Sequence, residues 1–126
     1  MTAGIAAAHA NALLNLYRGT TVTGITLWVK LHVGDPGSAG TANASAVTTR
    51  QSLSFGVAAS GSISLSAAPT AWSMTATENL THVSFWDAST AGNFVRSAPL
   101  TTSKAVANLD TFTLATCSFG YTPLAA

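Results

Sequence analysis

Two turns carry the residues best suited to chemistry. His32 and Asp35 flank one, and His82 and Asp87 flank the other. If the turns met in space, two imidazoles and two carboxylates could hold a transition metal. Nothing in the spacing requires that meeting. Positions 32 and 82 are therefore expected as polar-face strand residues, and no metal or other cofactor is expected. His9 has no local partner. A Ser-His-Asp triad needs a nucleophile elbow or an oxyanion arrangement, and no Gly-x-Ser-x-Gly run occurs among the 14 serines. Glu78 is the only glutamate, so a glycosidase carboxylate pair would have to join it to Asp35, Asp87 or Asp110. Cys117 is alone in a strand-like stretch, which suits a buried structural thiol better than a nucleophile. No glycine loop of the phosphate-cradling kind is present; Gly34-Asp35-Pro36-Gly37 is turn chemistry. These patterns predict no enzyme and assign no catalytic residue.

The tryptophans raise a different possibility. Trp28 and Trp86 fall on the polar side of their strands. A sheet whose second face also carries tryptophan is either covered or presents a binding surface. The cover could be the N-terminal helix, a second sheet or a neighbouring subunit. The exposed alternative is a subunit interface or a carbohydrate-stacking platform.

The elements that must position these residues follow from periodicity. Ile5, Ala8, Ala12, Leu13, Leu16 and Tyr17 recur at helical spacing, which predicts a helix over 3–17 with Thr2 as N-cap and Gly19 after its end. Arg18 in the last turn suits the helix dipole. After Gly24 the period changes to 2: Ile25, Leu27, Val29, Leu31 and Val33 alternate with Thr26, Trp28, Lys30 and His32. The stretch 38–49 is small and polar, and is expected as a long exposed loop. Short strands are predicted over 50–57 (Leu53, Phe55 and Val57 on one face), 62–66, 71–75 (with Trp72 and Met74), 80–86, 94–98 and 111–117, with 118–122 as an edge strand. Phe55, Val83, Phe85, Phe112 and Leu114 are expected in the core. About eight short strands separated by turn signals predict an all-β domain, an antiparallel β-sandwich or small barrel with one N-terminal helix, spanning 1–126 as a single unit.

Composition narrows the function classes. Charged residues are only 7% of the chain and the net charge is +1, with no basic run. Five scattered cations are too few to neutralise a nucleic-acid backbone. No apolar run reaches the ~18 residues that would suggest a membrane span, and Met1 to Ala12 lack the pattern of a signal peptide. Neither nucleic acid nor membrane is expected as a partner. Ala, Thr and Ser together supply 57 of 126 residues. So weakly charged a surface suits a protein docked in an assembly better than a free monomer.

Three blocks also resemble a known family. Leu27-Trp28-Val29-Lys30-Leu31-His32-Val33-Gly34-Asp35-Pro36-Gly37 resembles the opening block of small virion proteins of actinobacterial tailed phages. Residues 38–56, with Thr48-Thr49-Arg50-Gln51, and Thr81-His82-Val83-Ser84-Phe85-Trp86-Asp87 through Gly92-Asn93-Phe94 are similar to later blocks of that family. The similarity covers roughly residues 10–115, and Val33 departs from it where Thr or Ser is usual. The resemblance implies a non-enzymatic structural protein of the phage particle, of a kind variously called tail-fibre-like, minor tail or capsid decoration protein. It brings no catalytic residue.

The expectation drawn from all this is a capsid decoration protein on the outer surface of the virion, made in the bacterial host cytoplasm. A tail-fibre-like or minor tail protein is the alternative, and a carbohydrate-binding module the further one. The expected partners are capsid or tail proteins and further copies of the chain, as a trimer or dimer, with weak contact to host glycans a further possibility. Leu13, Leu16, Tyr17, Trp28 and Trp86 are the candidate interface residues.

Overall fold

The computed structural model describes residues 3–21 and 23–121. Thr2, the expected helix cap, and Thr122, the end of the expected edge strand, lie outside the described residues.

The alternating segments form the centre of the molecule. β1 (Trp28–His32) pairs antiparallel with β6 (Glu78–Trp86), and β6 pairs with β7 (Phe94–Val106) in a long hairpin. β2 (Gln51–Ser52) joins the other side of β1, so the main sheet runs β2-β1-β6-β7. β3 (Ser54–Phe55), β4 (Ser62–Ala67) and β9 (Ser118–Gly120) make a second sheet in the order β3-β4-β9. β5 (Trp72–Ser73) pairs with β8 (Thr111–Phe112). All pairings are antiparallel and no sheet closes into a barrel. The small all-β sandwich is the observed architecture.

The core is the side of the main sheet that carries Val29, Leu31, Val83 and Phe85, all buried. Phe119 of β9 meets Phe85 edge to face at 5.1 Å, and Phe55 lies 5.8 Å from Phe119. Trp72 and Phe112 are cross-strand partners with ring centroids 5.9 Å apart. Such tilted and T-shaped contacts match ring edges to ring faces. Phe112 is buried as expected, while Phe55 and Leu114 pack against the core half-buried. Val57, expected beside Leu53 and Phe55, is 98% exposed; it lies beyond the end of β3 at Phe55.

Several elements differ from the sequence reading. The strands expected over 50–57, 71–75 and 111–117 shrink to Gln51–Ser52 with Ser54–Phe55, Trp72–Ser73 and Thr111–Phe112. The helix is shorter: α1 covers Ala7–Leu14, followed by a 3-10 turn over Asn15–Arg18 that stops at Gly19. Residues 4–6 are spent instead on the free edge of β7. Ser97 N–H donates to the Gly4 carbonyl at 2.7 Å and Ala6 N–H to the Val95 carbonyl at 2.8 Å. That pairing blunts an exposed strand edge. None of the residues of α1 is buried, and grooves of about 630 and 530 Å³ run along its flanks. β7 is longer than the expected 94–98 and continues through Pro99 to Val106. Pro99 is tolerated because β7 is an edge strand, where a missing N–H breaks no ladder. Among the described residues no helix is long and apolar enough to cross a membrane.

Candidate functional site

The blocks singled out by sequence converge on the other face of the main sheet. β1 places Trp28, Lys30 and His32 there, and β6 places Trp86, Ser84 and His82 directly opposite them. The expected cover was a helix, a second sheet or a neighbouring subunit. The cover is the chain's own segment 34–50. Its path is set by short turns. Asp35 Oδ1 accepts the Gly37 N–H at 2.8 Å, Ala42 N–H donates to the Pro36 carbonyl, and Val33 N–H to the Asn43 carbonyl. The stretch 38–49 is a loop, as expected, and most of it is exposed; Gly40, Ser45 and Val47 are buried and seat it on the sheet as a lid. Its small residues reflect close packing: Gly40 lies against the ring of Phe94.

His32 is the centre of this face and has no exposed surface. Its Nδ1 lies 2.8 Å from the Ala42 carbonyl, which can only accept, so Nδ1 carries the proton. Nε2 then accepts from the Ser84 hydroxyl at 2.7 Å, and Ser84 Oγ in turn accepts the Trp86 indole N–H at 2.8 Å. Every polar atom of the chain Trp86–Ser84–His32–Ala42 is satisfied. Burial lowers the His32 pKa, with the Ala42 carbonyl opposing it and Lys30 and His82 assisting. Ser84 and His32 thus have the spacing of a nucleophile and its base, yet both are fully buried, and a backbone carbonyl stands where a triad would have a carboxylate.

Arg50 closes the opposite end. Its guanidinium lies 4.1 Å from the centre of the Trp86 ring, and Nη1 donates to the Ala88 and Ala91 carbonyls at 2.9 and 2.7 Å. The 87–93 turn so gripped is built by Asp87, whose carboxylate accepts the Asn93 N–H at 2.6 Å and its side-chain amide at 3.0 Å. These bonds hold the Asp87 carboxyl below the usual carboxylate range. Thr49 receives the Trp72 indole N–H at 2.9 Å. Glu78 holds the lid at Ser45 Oγ and at the Ala46 N–H.

The residues considered as metal ligands are divided. His32 and His82 are cross-strand partners, and His82 Nδ1 lies 2.8 Å from Thr81 Oγ1. Asp35 follows the C-terminal end of β1, whereas Asp87 follows the end of β6 that faces Trp28, so the acids sit at opposite ends of the ladder. Among the described residues no three His, Cys, Asp or Glu side chains are grouped to hold a metal ion. Asp110 accepts the Ala107 N–H in its own turn. Burial raises the half-buried Cys117 thiol to about 11, which keeps it protonated.

The interface candidates divide as well. Leu16 and Tyr17 are 53% and 90% exposed, with Leu13 half-buried beside them. Trp28 is half-buried, and Trp86 is buried between Arg50 and Phe94. The sequence reading missed the structural parts played by Arg50, Gly40 and Glu78; the only signal was that the first two lie within the 38–56 block.

A family model described as Podophage GP4 fiber I protein gp80 matches residues 4–122. Among curated proteins none matches the chain.

Proposed function

The chain belongs to the podophage GP4 fiber I protein gp80 family, and from that membership we propose that it serves as a non-enzymatic module of a phage tail fibre, on the outer surface of the particle. A virion-associated, fibre-like structural protein is what the family itself carries. The match over 4–122 is the observation that carries the reading. The structure supports it: His32 and Arg50 of the motif blocks are engaged in holding the lid to the sheet. The capsid-decoration role expected from the sequence draws no support from a fibre family, and the actinobacterial attribution is narrower than that family. A sugar platform on Trp86 is disfavoured by its burial under Arg50.

Self-association belongs to the same proposal, as a dimer or trimer through the face of α1. Leu14 at the end of α1, Leu16 and Tyr17 in the 3-10 turn after it, and Ile25 beyond are exposed at 61%, 53%, 90% and 47%. The chain exposes 7591 Å², about 1,400 Å² more than the ~6,200 Å² usual for its mass. A standard interface removes about 800 Å² per partner. The test is mass spectrometry of purified virions separated into heads and tails. The chain should appear in the tail fraction. Recovery with heads alone would contradict the fibre reading, and absence from both would contradict a structural role.

A further inference from the structure

The tip of the lid, residues 35–44, is a hydrogen-bonded unit of its own. Gly37 N–H donates to Asp35 Oδ1, the Asn43 side-chain amide to the Asp35 carbonyl, Ala42 N–H to the Pro36 carbonyl and Gly40 N–H to the Gly37 carbonyl. Among the described residues, two hydrogen bonds tie this unit to the sheet: Val33 N–H donates to the Asn43 carbonyl at 2.8 Å, and His32 Nδ1 to the Ala42 carbonyl at 2.8 Å. Gly40 adds its contact with the Phe94 ring. The hold is stronger on the far side of the tip. Ser45 N–H donates to the Leu31 carbonyl, and the Ser45 hydroxyl and Ala46 N–H both donate to Glu78. One of the two ties at the tip is therefore carried by a side chain that can take up a proton.

The hydrogen bonds around His32 fit the neutral ring. Nε2 accepts from the Ser84 hydroxyl, whose oxygen already accepts the Trp86 indole N–H. A proton on Nε2 turns that nitrogen into a donor, and the Ser84 hydroxyl loses its acceptor. The same proton places a charge where the ring has no exposed surface. The neighbours do not neutralise it. Lys30 on β1 and His82 on β6 both oppose a charge on His32. On β7 the cross-strand partners of Ser84 and His82 are Ser97 and Pro99, which do not titrate. In the lid, Asp35 is engaged by Gly37 and Arg50 by the 87–93 turn, and Glu78 of β6 is engaged by the lid itself. Water is the remaining partner, and the tip over the ring has the fewest bonds to give up.

We propose that residues 35–44 form an acid-released flap: a proton on His32 lifts them from the sheet, pivoting at Gly34 and Ser45, while β1, β6 and β7 stay paired. Opening hydrates the imidazolium and uncovers the Ser84 hydroxyl and one side of the Phe94 ring. An exposed histidine titrates near ~6.5, and burial holds His32 below that in the closed flap. The closed form is thus fully favoured above about pH 6.5, and the opening equilibrium rises by up to about tenfold per pH unit below it. The device is independent of where the protein sits in the particle, so its failure would leave the fibre reading standing.

The test is native-state hydrogen exchange of the intact chain at about pH 7, 6 and 5, with and without low urea, corrected for the intrinsic exchange rate. The Val33 amide reports the flap. Its protection should fall by up to about tenfold per pH unit below about pH 6.5. It should barely respond to urea, because a small opening exposes little surface. Amides of the β6–β7 ladder should stay at least about tenfold better protected at every pH and should respond to urea. The His32 ring should titrate below ~6.5. His82→Gln should keep the response of Val33, and His32→Gln should abolish it. The parent-chain measurements decide even where His32→Gln loosens the flap at neutral pH. Val33 protection that is independent of pH, or that follows the urea dependence of the ladder, would overturn the inference. So would a His32 ring that titrates as an exposed one, a response that survives His32→Gln, or one that vanishes in His82→Gln.

Discussion

Gly40 rests so close to Phe94 that a Cβ at position 40 would lie 2.4 Å from the ring's Cδ1. The lid is thus seated on the sheet by the absence of a side chain. Gly40 also has φ +74°, where other residues are strained. Gly40→Ala should cost about 2–4 kcal/mol from backbone strain and overpacking together. Gly24→Ala, where a Cβ meets nothing within 4 Å, should stay within about 0.5 kcal/mol of the parent. Urea unfolding of the two variants checks the contrast; equal midpoints would mean the lid is not held at Gly40.

Acid should loosen the same face. Burial, the largest cause, lowers the His32 pKa in the folded chain. The unfolded chain, with a histidine pKa near ~6.5, then binds the proton more readily. Stability is therefore complete above about pH 6.5 and declines as pH falls below it. His9 shifts in the same direction and contributes in the same window, though it is less buried. Denaturant midpoints should drop between about pH 7 and pH 5, and His32→Gln should flatten much of that slope. An unchanged slope in the variant would remove His32 from the account.

Arg50 joins the lid's end to the 87–93 turn through two carbonyls and the Trp86 ring. Arg50→Ala should destabilise by about 1–3 kcal/mol. Arg50→Lys should recover less than half of this, because an ammonium cannot reproduce the planar fork. The Trp86 indole resonance, donated to Ser84, should shift in both variants. Full rescue by lysine would show that charge alone matters there.

Phe85 is 1% exposed and meets Phe119 edge to face. Phe85→Ala should cost about 3–5 kcal/mol, a large share of the ~5–15 kcal/mol available to a domain. An unchanged melting temperature would place the core elsewhere.

The strands centred on Val29 and Val83 were legible because one face is uniformly apolar and the period is 2. The outer half of β7 was not: Thr101 to Lys104 are exposed and carry no alternation, yet an edge strand needs only backbone pairing. The helix is shorter than its spacing predicts because the pairing of Gly4 and Ala6 with β7 is a non-local event that local spacing does not record. The loop over 38–49 is legible in its small polar residues, but its buried anchors Gly40, Ser45 and Val47 are not. Small residues such as Gly40 and Ala42 look like an exposed loop, but small size is also what lets backbone lie on an aromatic ring or reach a buried imidazole. The face that carries Trp28 and Trp86 is legible from the alternation, whereas its cover is a non-local contact.

The most direct measurement of the central claim is immunogold electron microscopy of intact virions with antibody against this chain. Gold confined to the tail fibres is the predicted result. Gold spread evenly over the capsid shell, or no label on particles that contain the gene product, would contradict it.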